Sequence, residues 1–247
     1  AMGAAAAAGL PVSDLRARST PQINALYDIK KFGNVHLLHM TDCHAQLNPV
    51  HYREPSMNMG VGDAFGKMPH IVGDSLLKAV GVPAGSALAH AFSCLNFEEA
   101  ASVYGRLGGF SHLKVLVDKF RSERPGALLL DGGDTWQGSG TALWTNGQDM
   151  VDACLLLGVD VMTAHWEMTL GADRVQQIVN SDFSGKVDFI AQNIKTFDFD
   201  EPVFDSFMVK EMNGVPVAII GQAFPYTPIA NPGYLIPDWS FGIREYE

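Results

Sequence analysis

Four short apolar runs, Val35–Met40, Ala127–Leu130, Val159–Ala164 and Val187–Ala191, each break off into polar side chains suited to metals. The endings are Asp42 with His44, Asp134, His165, and Gln192 with Asn193. Between the runs the apolar spacing turns helical. Phe110, Leu113, Leu116, Val117 and Phe120 keep one face until Pro125, Asp149–Leu157 closes on Gly158, and Gly171–Val179 follows the same period. Strand and helix in alternation are the grammar of βαβ units, which build parallel sheets. Ligands of an open α/β sheet bind at the carboxyl ends of its strands. The order of the elements therefore predicts that the polar endings meet in one place.

The rest of the chain is organised around that frame. Residues 1–34 read as an arm rich in Ala, Pro and Ser, with a short helix expected around Pro21–Lys31. Ala1-Met2-Gly3 has the form of a cloning scar, and Ala4–Ala8 that of a processed export-signal remnant. Residues 35–247 are read as one catalytic domain. It is interrupted from Leu47 to about Asn96 by a Gly-, Pro- and Met-rich excursion with short helices, one at Gly73–Val80. Near the end, Phe207–Glu211 and Val215–Ile220 flank Met212-Asn213-Gly214, an Asn-Gly hairpin signal.

Composition narrows the function. The chain has 247 residues, 47% of them apolar and 18% charged, enough for a sizeable core and too ordinary for a disordered protein. Seventeen basic against 27 acidic residues leave a net charge of -10, against a generic binder of nucleic acid or anionic membrane. A small anionic substrate stays compatible, because a bound cation reverses the local field. No apolar run reaches the ~18 residues of a spanning helix. Cys43, Cys94 and Cys154 are odd in number and lack C-x-x-C spacing, so they make neither a disulfide framework nor a zinc finger.

Taken singly, each polar ending has an ordinary explanation. Asp-x-His is common, Asp134 could cap a turn, and His165 could be a hydrogen-bonded structural histidine. Together, Asp42, His44, Asp134 and His165 form a set of hard carboxylates and imidazoles that suits manganese, zinc or iron more than calcium. The double glycine before Asp134 lets the backbone turn tightly and present that carboxylate between two cations. Cys43, lying between two ligands in an extended segment, should face the other way and pack.

The segments Leu37-Leu38-His39-Met40-Thr41-Asp42-Cys43-His44, Gly108-Gly109-Phe110, Asp131–Ser139 and Ala164–Gly171 occur in the order of the calcineurin-like metallophosphoesterases. They resemble most the branch that contains the periplasmic 5'-nucleotidases. That family supplies metal ligands from D-x-H, G-G-D and G-N-H-E segments. The first two are intact here. In the third, the spacing to Gly171 places His165 on the family's Asn ligand and Trp166 on its catalytic His. Asp-Thr-Trp-Gln-Gly-Ser (134–139), Ala142–Thr145, Ala-His-Trp-Glu (164–167) and Tyr52–Ser56 resemble the thiosulfohydrolases of the Sox sulfur-oxidation pathway.

The resemblance implies an α/β/β/α sandwich of two packed mixed sheets, incomplete in this chain, with no C-terminal 5'-nucleotidase-type domain. It implies a periplasmic hydrolase with two Mn2+ ions, Zn2+ being the alternative, only partly filled here because no histidine follows His165. Asp42 and His44 would hold one ion, His165 the other, with Asp134 bridging. Asp134, His165 and Trp166 are the expected catalytic group. Trp136, Gln137, Arg53 and Arg106 are assigned to the substrate. Packing is the alternative for the indole, loop support for the amide, and a solvated surface position for each arginine. Trp144 is expected to pack. The substrate would be a cysteine S-thiosulfonate on the swinging C-terminal arm of a sulfur-carrier protein of SoxYZ type. The missing C-terminal half of the enzyme would be a second partner.

Loss of the family histidine fits that substrate. A phosphomonoester leaves as a strongly basic alkoxide, for which a general acid is worth ~10²–10⁴-fold. A departing sulfur, with a thiol pKa of ~8.5, leaves unprotonated near neutral pH. Two alternatives remain: a 5'-nucleotidase-like phosphoesterase, and a non-catalytic carrier-binding fragment.

Overall fold

The four apolar runs lie side by side in the computed structural model, which describes residues 28–51, 59–86, 88–89, 93 and 95–242. They contribute β1 (Leu37–Met40), β2 (Leu128–Asp131), β3 (Val161–Met162) and β4 (Asp188–Phe189), an all-parallel sheet in the order β1-β2-β3-β4. Met40 sits opposite Asp131, Asp131 opposite Met162, and Met162 opposite Phe189. This register aligns the strand ends in one row, so the residues that follow them emerge along a single sheet edge. Parallel and antiparallel pairings occur in separate sheets.

Two compact units divide the chain. Pro49–Gly109 belongs to one; Phe32–Asn48 and Phe110–Glu247 form the other. The first holds α1 (Gly73–Val80), where the sequence places it, and a helix the sequence reading missed, α2 (Phe97–Tyr104). An antiparallel bridge between Val50 and Leu107 closes this excursion on itself. Of the expected N-terminal helix, 21–27 lies outside the described residues, and Asp28–Lys31 is not helical.

In the second unit the crossovers are helical. α3 (Phe110–Glu123) precedes β2; α4 (Gly140–Thr145) and α5 (Gln148–Leu157) precede β3; α6 (Ala172–Gln177) runs through a π turn (Ile178–Asp182) to β4. The Ser139 side chain accepts from Ala142 N and caps α4, and α5 stops at Gly158 in the left-handed region. Period-2 alternation sends Met40, Leu129 and Asp131 to one face of the sheet, where Cys154 of α5 meets Asp131, and Met150, Val151, Leu157, Val175 and Ile178 belong to the same buried core. That core fixes the edge from which the candidate ligands project.

Past β4 the pairing becomes antiparallel. β5 (Ile194–Thr196) pairs with β8 (Trp239–Phe241) beyond a short helix, α7 (Thr227–Ala230). β6 (Phe207–Met212) and β7 (Val215–Ile220) form the predicted hairpin. Its two turn residues, Asn213 and Gly214, both have positive φ, the geometry that favours Asn-Gly. One hairpin face leaves Phe207, Val209 and Ile220 exposed. Among the described residues no helix is long and apolar enough to cross a membrane.

Candidate metal centre

The exits of β1 and β2 run alongside each other as a main-chain zipper. Gly132 N donates to Met40 O (2.8 Å), Asp42 N to Gly133 O (2.9 Å), His44 N to Asp134 O (2.8 Å) and Ala45 N to Thr135 O (3.2 Å). Asp42, His44, Ala45 and Asp134 all adopt positive φ, between 48 and 56°. Such a conformation costs a non-glycine residue about 1–3 kcal/mol, and clusters of it mark functional sites. Gly133, at φ 92°, passes so close to the β3 exit that a Cβ would stand 2.8 Å from His165 N. Glycine is therefore required there by contact as well as by conformation.

This backbone brings the four expected ligands together. Asp134 Oδ2 lies 3.3 Å from His44 Nε2 and 3.3 Å from His165 Nδ1, so two imidazoles converge on one carboxylate oxygen. His44 Nε2 is also 3.8 Å from Asp42 Oδ1. Asp42, Asp134 and His165 each offer a ligand atom within 4.8 Å of the others. Asp134 is buried, whereas Asp42 and His44 face solvent, leaving a way in. Asp134 Oδ1 and His165 Nδ1 are buried without a hydrogen-bond partner. Buried polar atoms are rarely left unpaired. A divalent cation coordinated by both atoms would satisfy them, and the mixed oxygen–imidazole donor set is right for it.

The surroundings hold these groups in place. The His165 ring stacks on Phe224, with centroids 4.2 Å apart and planes 14° from parallel. Its carbonyl accepts from Thr227 Oγ1 (3.0 Å), and Ala164 O accepts from Phe224 N (3.0 Å). Thr41 Oγ1 donates to Asp42 Oδ2 (2.6 Å). Burial pushes the Asp134 carboxyl upward in pKa while His44 draws it down. A bound cation would favour its ionised form.

Two buried carboxylates escaped the sequence reading. Glu167 accepts from Thr135 N (2.6 Å), Trp136 N (3.3 Å) and His165 N (2.8 Å). Asp131 accepts from Gly133 N and Thr135 Oγ1, both at 3.0 Å. Both residues lie within the recognised segments. Only the knowledge that they are buried distinguishes them from ordinary solvated acids. Burial, then repulsion from Glu167, raises the Asp131 pKa from 3.8 to about 8. Because the folded value lies above the unfolded one, the folded state is relatively favoured below pH 4 and penalised progressively up to about pH 8. The melting-temperature advantage of Asp131→Asn over the parent, measured in chelator, should therefore grow from pH 4 to pH 8 and then level. A difference independent of pH would refute this environment.

The remaining expectations divide. Trp136, assigned to the substrate, is instead a core residue with 0% exposure, packed edge-on against Phe183 (5.4 Å) and near Phe189 (5.8 Å). Trp144, expected to pack, is 82% exposed on α4. Its helix is a single short segment whose outer side nothing described covers. Gln137 is half-buried beside the zipper, and Trp166 is half-buried with its ring 5.8 Å from His165 and its Nε1 buried without a partner. Arg106 is exposed in the Pro49–Gly109 unit, and Arg53 lies outside the described residues. Asn193 bridges Ala223 and Gly242 by hydrogen bonds and serves the scaffold. Cys43 is half-buried and packs against the core, and burial lifts its thiol to about 11. Burial also raises the Cys154 thiol well above the usual range. Neither supplies a thiolate near neutral pH.

Comparison with solved structures gives the setting. The sulfate thiohydrolase SoxB of Thermus thermophilus superposes with a TM-score of 0.74 at 32% identity, over 89% of this chain and 41% of that one. A 5'-nucleotidase precursor, also from Thermus thermophilus, gives 0.54 at 20% identity, over 84% of this chain and 32% of that one. For a putative 5'-nucleotidase of Staphylococcus aureus the values are 0.56 and 12%, over 85% and 32%. The chain thus spans less than half the length of each. No protein-family model and no curated protein matches it.

Proposed function

We propose, on the premise of a fold shared with SoxB and the 5'-nucleotidases of the calcineurin-like phosphoesterases, that this chain is the metal-binding part of a thiosulfohydrolase. The observation that carries the reading is the convergence of Asp42, Asp134 and His165 in a chain 32% identical to SoxB. The substrate is a cysteine S-thiosulfonate on a sulfur-carrier protein of SoxYZ type, encountered in the periplasm; water adds to the sulfonate sulfur, the bond from that sulfur to the sulfane sulfur breaks, and the products are sulfate and the carrier's cysteine persulfide anion. Asp42, His44, Asp134 and His165 would hold two divalent ions, manganese by preference and zinc as the substitute. Ions bound there supply Lewis-acid chemistry and bring the pKa of water down to ~7.

This chain's residues then have separate tasks. Asp134 presents one oxygen to both imidazoles, His165 is oriented by the Phe224 stack, and Asp42 is steadied by Thr41. Trp166 stands where a phosphomonoesterase needs a proton donor. An indole cannot protonate a leaving group, and a sulfur anion does not require it. The substitution favours sulfur over phosphate esters.

The test is mass spectrometry of a carrier peptide bearing a cysteine S-thiosulfonate, incubated with manganese and the full-length enzyme of which this chain is the metal-binding part. The sulfonate should be lost, and Asp134→Asn should retain it. Turnover of nitrophenyl phosphate with the thiosulfonate left intact would replace this reading by the nucleotidase one. Peptide binding with neither reaction would leave only a carrier-binding role.

A further inference from the structure

We propose that Glu167 is a positioning residue that sets the spacing of Asp134 and His165 before any cation arrives. The inference rests on the metal-centre reading given above and deepens it. The β1 and β2 exits are joined by main-chain hydrogen bonds. At the β2 and β3 exits a side chain takes over that work. Glu167 has 0% exposure and stands at the start of the 3-10 turn Trp166–Leu170, two residues beyond His165. One of its oxygens accepts from the amides of Thr135 and Trp136, directly after Asp134; the other accepts from the amide of His165 itself. A single carboxylate thus grips both ligand-bearing segments.

Charge makes the grip directional. A buried carboxylate is an acceptor on both oxygens, and bonds from amides to an ionised acceptor are about twice as strong as neutral ones. All three of its donors are backbone groups, so the link fixes the course of the main chain at Thr135 and at His165. Asp131 holds the same loop from within, through Gly133 N and Thr135 Oγ1, but it does not reach His165. Glutamine at 167 keeps the shape and can satisfy only one side. With its carbonyl toward Thr135 and Trp136, its NH2 group meets the His165 N–H, donor against donor.

The experiment has two arms. Manganese affinity is read from the electron paramagnetic resonance signal of free Mn2+ for the parent, Glu167→Gln, and a core control, Ile178→Val, with melting followed for each. Partners that orient metal ligands typically govern affinity by ~10–100-fold. Glu167→Gln should lose that much while Ile178→Val, though less stable than the parent, stays within about threefold. The second arm is amide hydrogen exchange of the metal-free parent, in which Thr135 and His165 should be protected. Affinity unchanged in folded Glu167→Gln overturns the proposal. So does exchange at His165 as fast as in exposed loops, which decides the matter should the variant fail to fold. A parent that binds no manganese would instead sink the metal reading, while protection of the two amides would still report the clamp.

Discussion

Asp134→Asn is expected to abolish manganese binding and, in the same protein, to raise the melting temperature of the metal-free form. Asp134 is the group on which both imidazoles converge, and its Oδ1 is buried without a partner. Burial raises its folded pKa, so its ionised form is disfavoured in the folded state at neutral pH when no cation is present. Asparagine is neutral, nearly the same shape, and tolerates the left-handed backbone at φ 56°. A gain of about 1 kcal/mol would lift melting by ~2–4 °C for a chain of this size. The gain should fade below the ordinary carboxylate range, where the aspartate is protonated in both states. Calorimetry in chelator checks the stability and a manganese titration the binding. A variant that melts lower and still binds the ion would refute both halves.

The largest loss of stability is expected from Trp136→Ala. The indole is fully enclosed among Phe183, Phe189 and the helix-side core, so its removal leaves a cavity the surroundings cannot close. Trp→Ala at such sites costs about 3–5 kcal/mol. Urea unfolding should show a lower midpoint with an unchanged slope, and Trp136→Phe should recover much of the loss. If stability hardly moved while affinity for the carrier peptide collapsed, Trp136 would belong to the substrate after all.

These two residues also show how far the chain could be read unaided. Asp134 was legible because its meaning is combinatorial. It follows an apolar run and a glycine pair, and similar endings recur at three other runs, so parallel register alone brings them together. The helix at Gly73–Val80 and the Asn213-Gly214 hairpin were legible for local reasons, periodicity in one and turn chemistry in the other. Trp136 and Trp144 were not. Both are indoles close to the same loop, and only the packing of α4, α5 and β4 tells which one is enclosed. Glu167 was hidden for a related cause: an acid one position past Trp166 reads as solvated until the 3-10 turn is seen to carry it inward. Helix α2 lay in a Gly-rich stretch whose pattern was too broken to announce it.

The β6–β7 hairpin has a practical bearing. Phe207, Val209 and Ile220 form a stripe of bare hydrocarbon on a two-stranded ribbon, the sort of surface through which separate molecules adhere. The stripe therefore adds to the surface that limits solubility during purification, far in sequence from the ligands. Threonine or lysine at 207 and 220 is the remedy least able to disturb the chemistry.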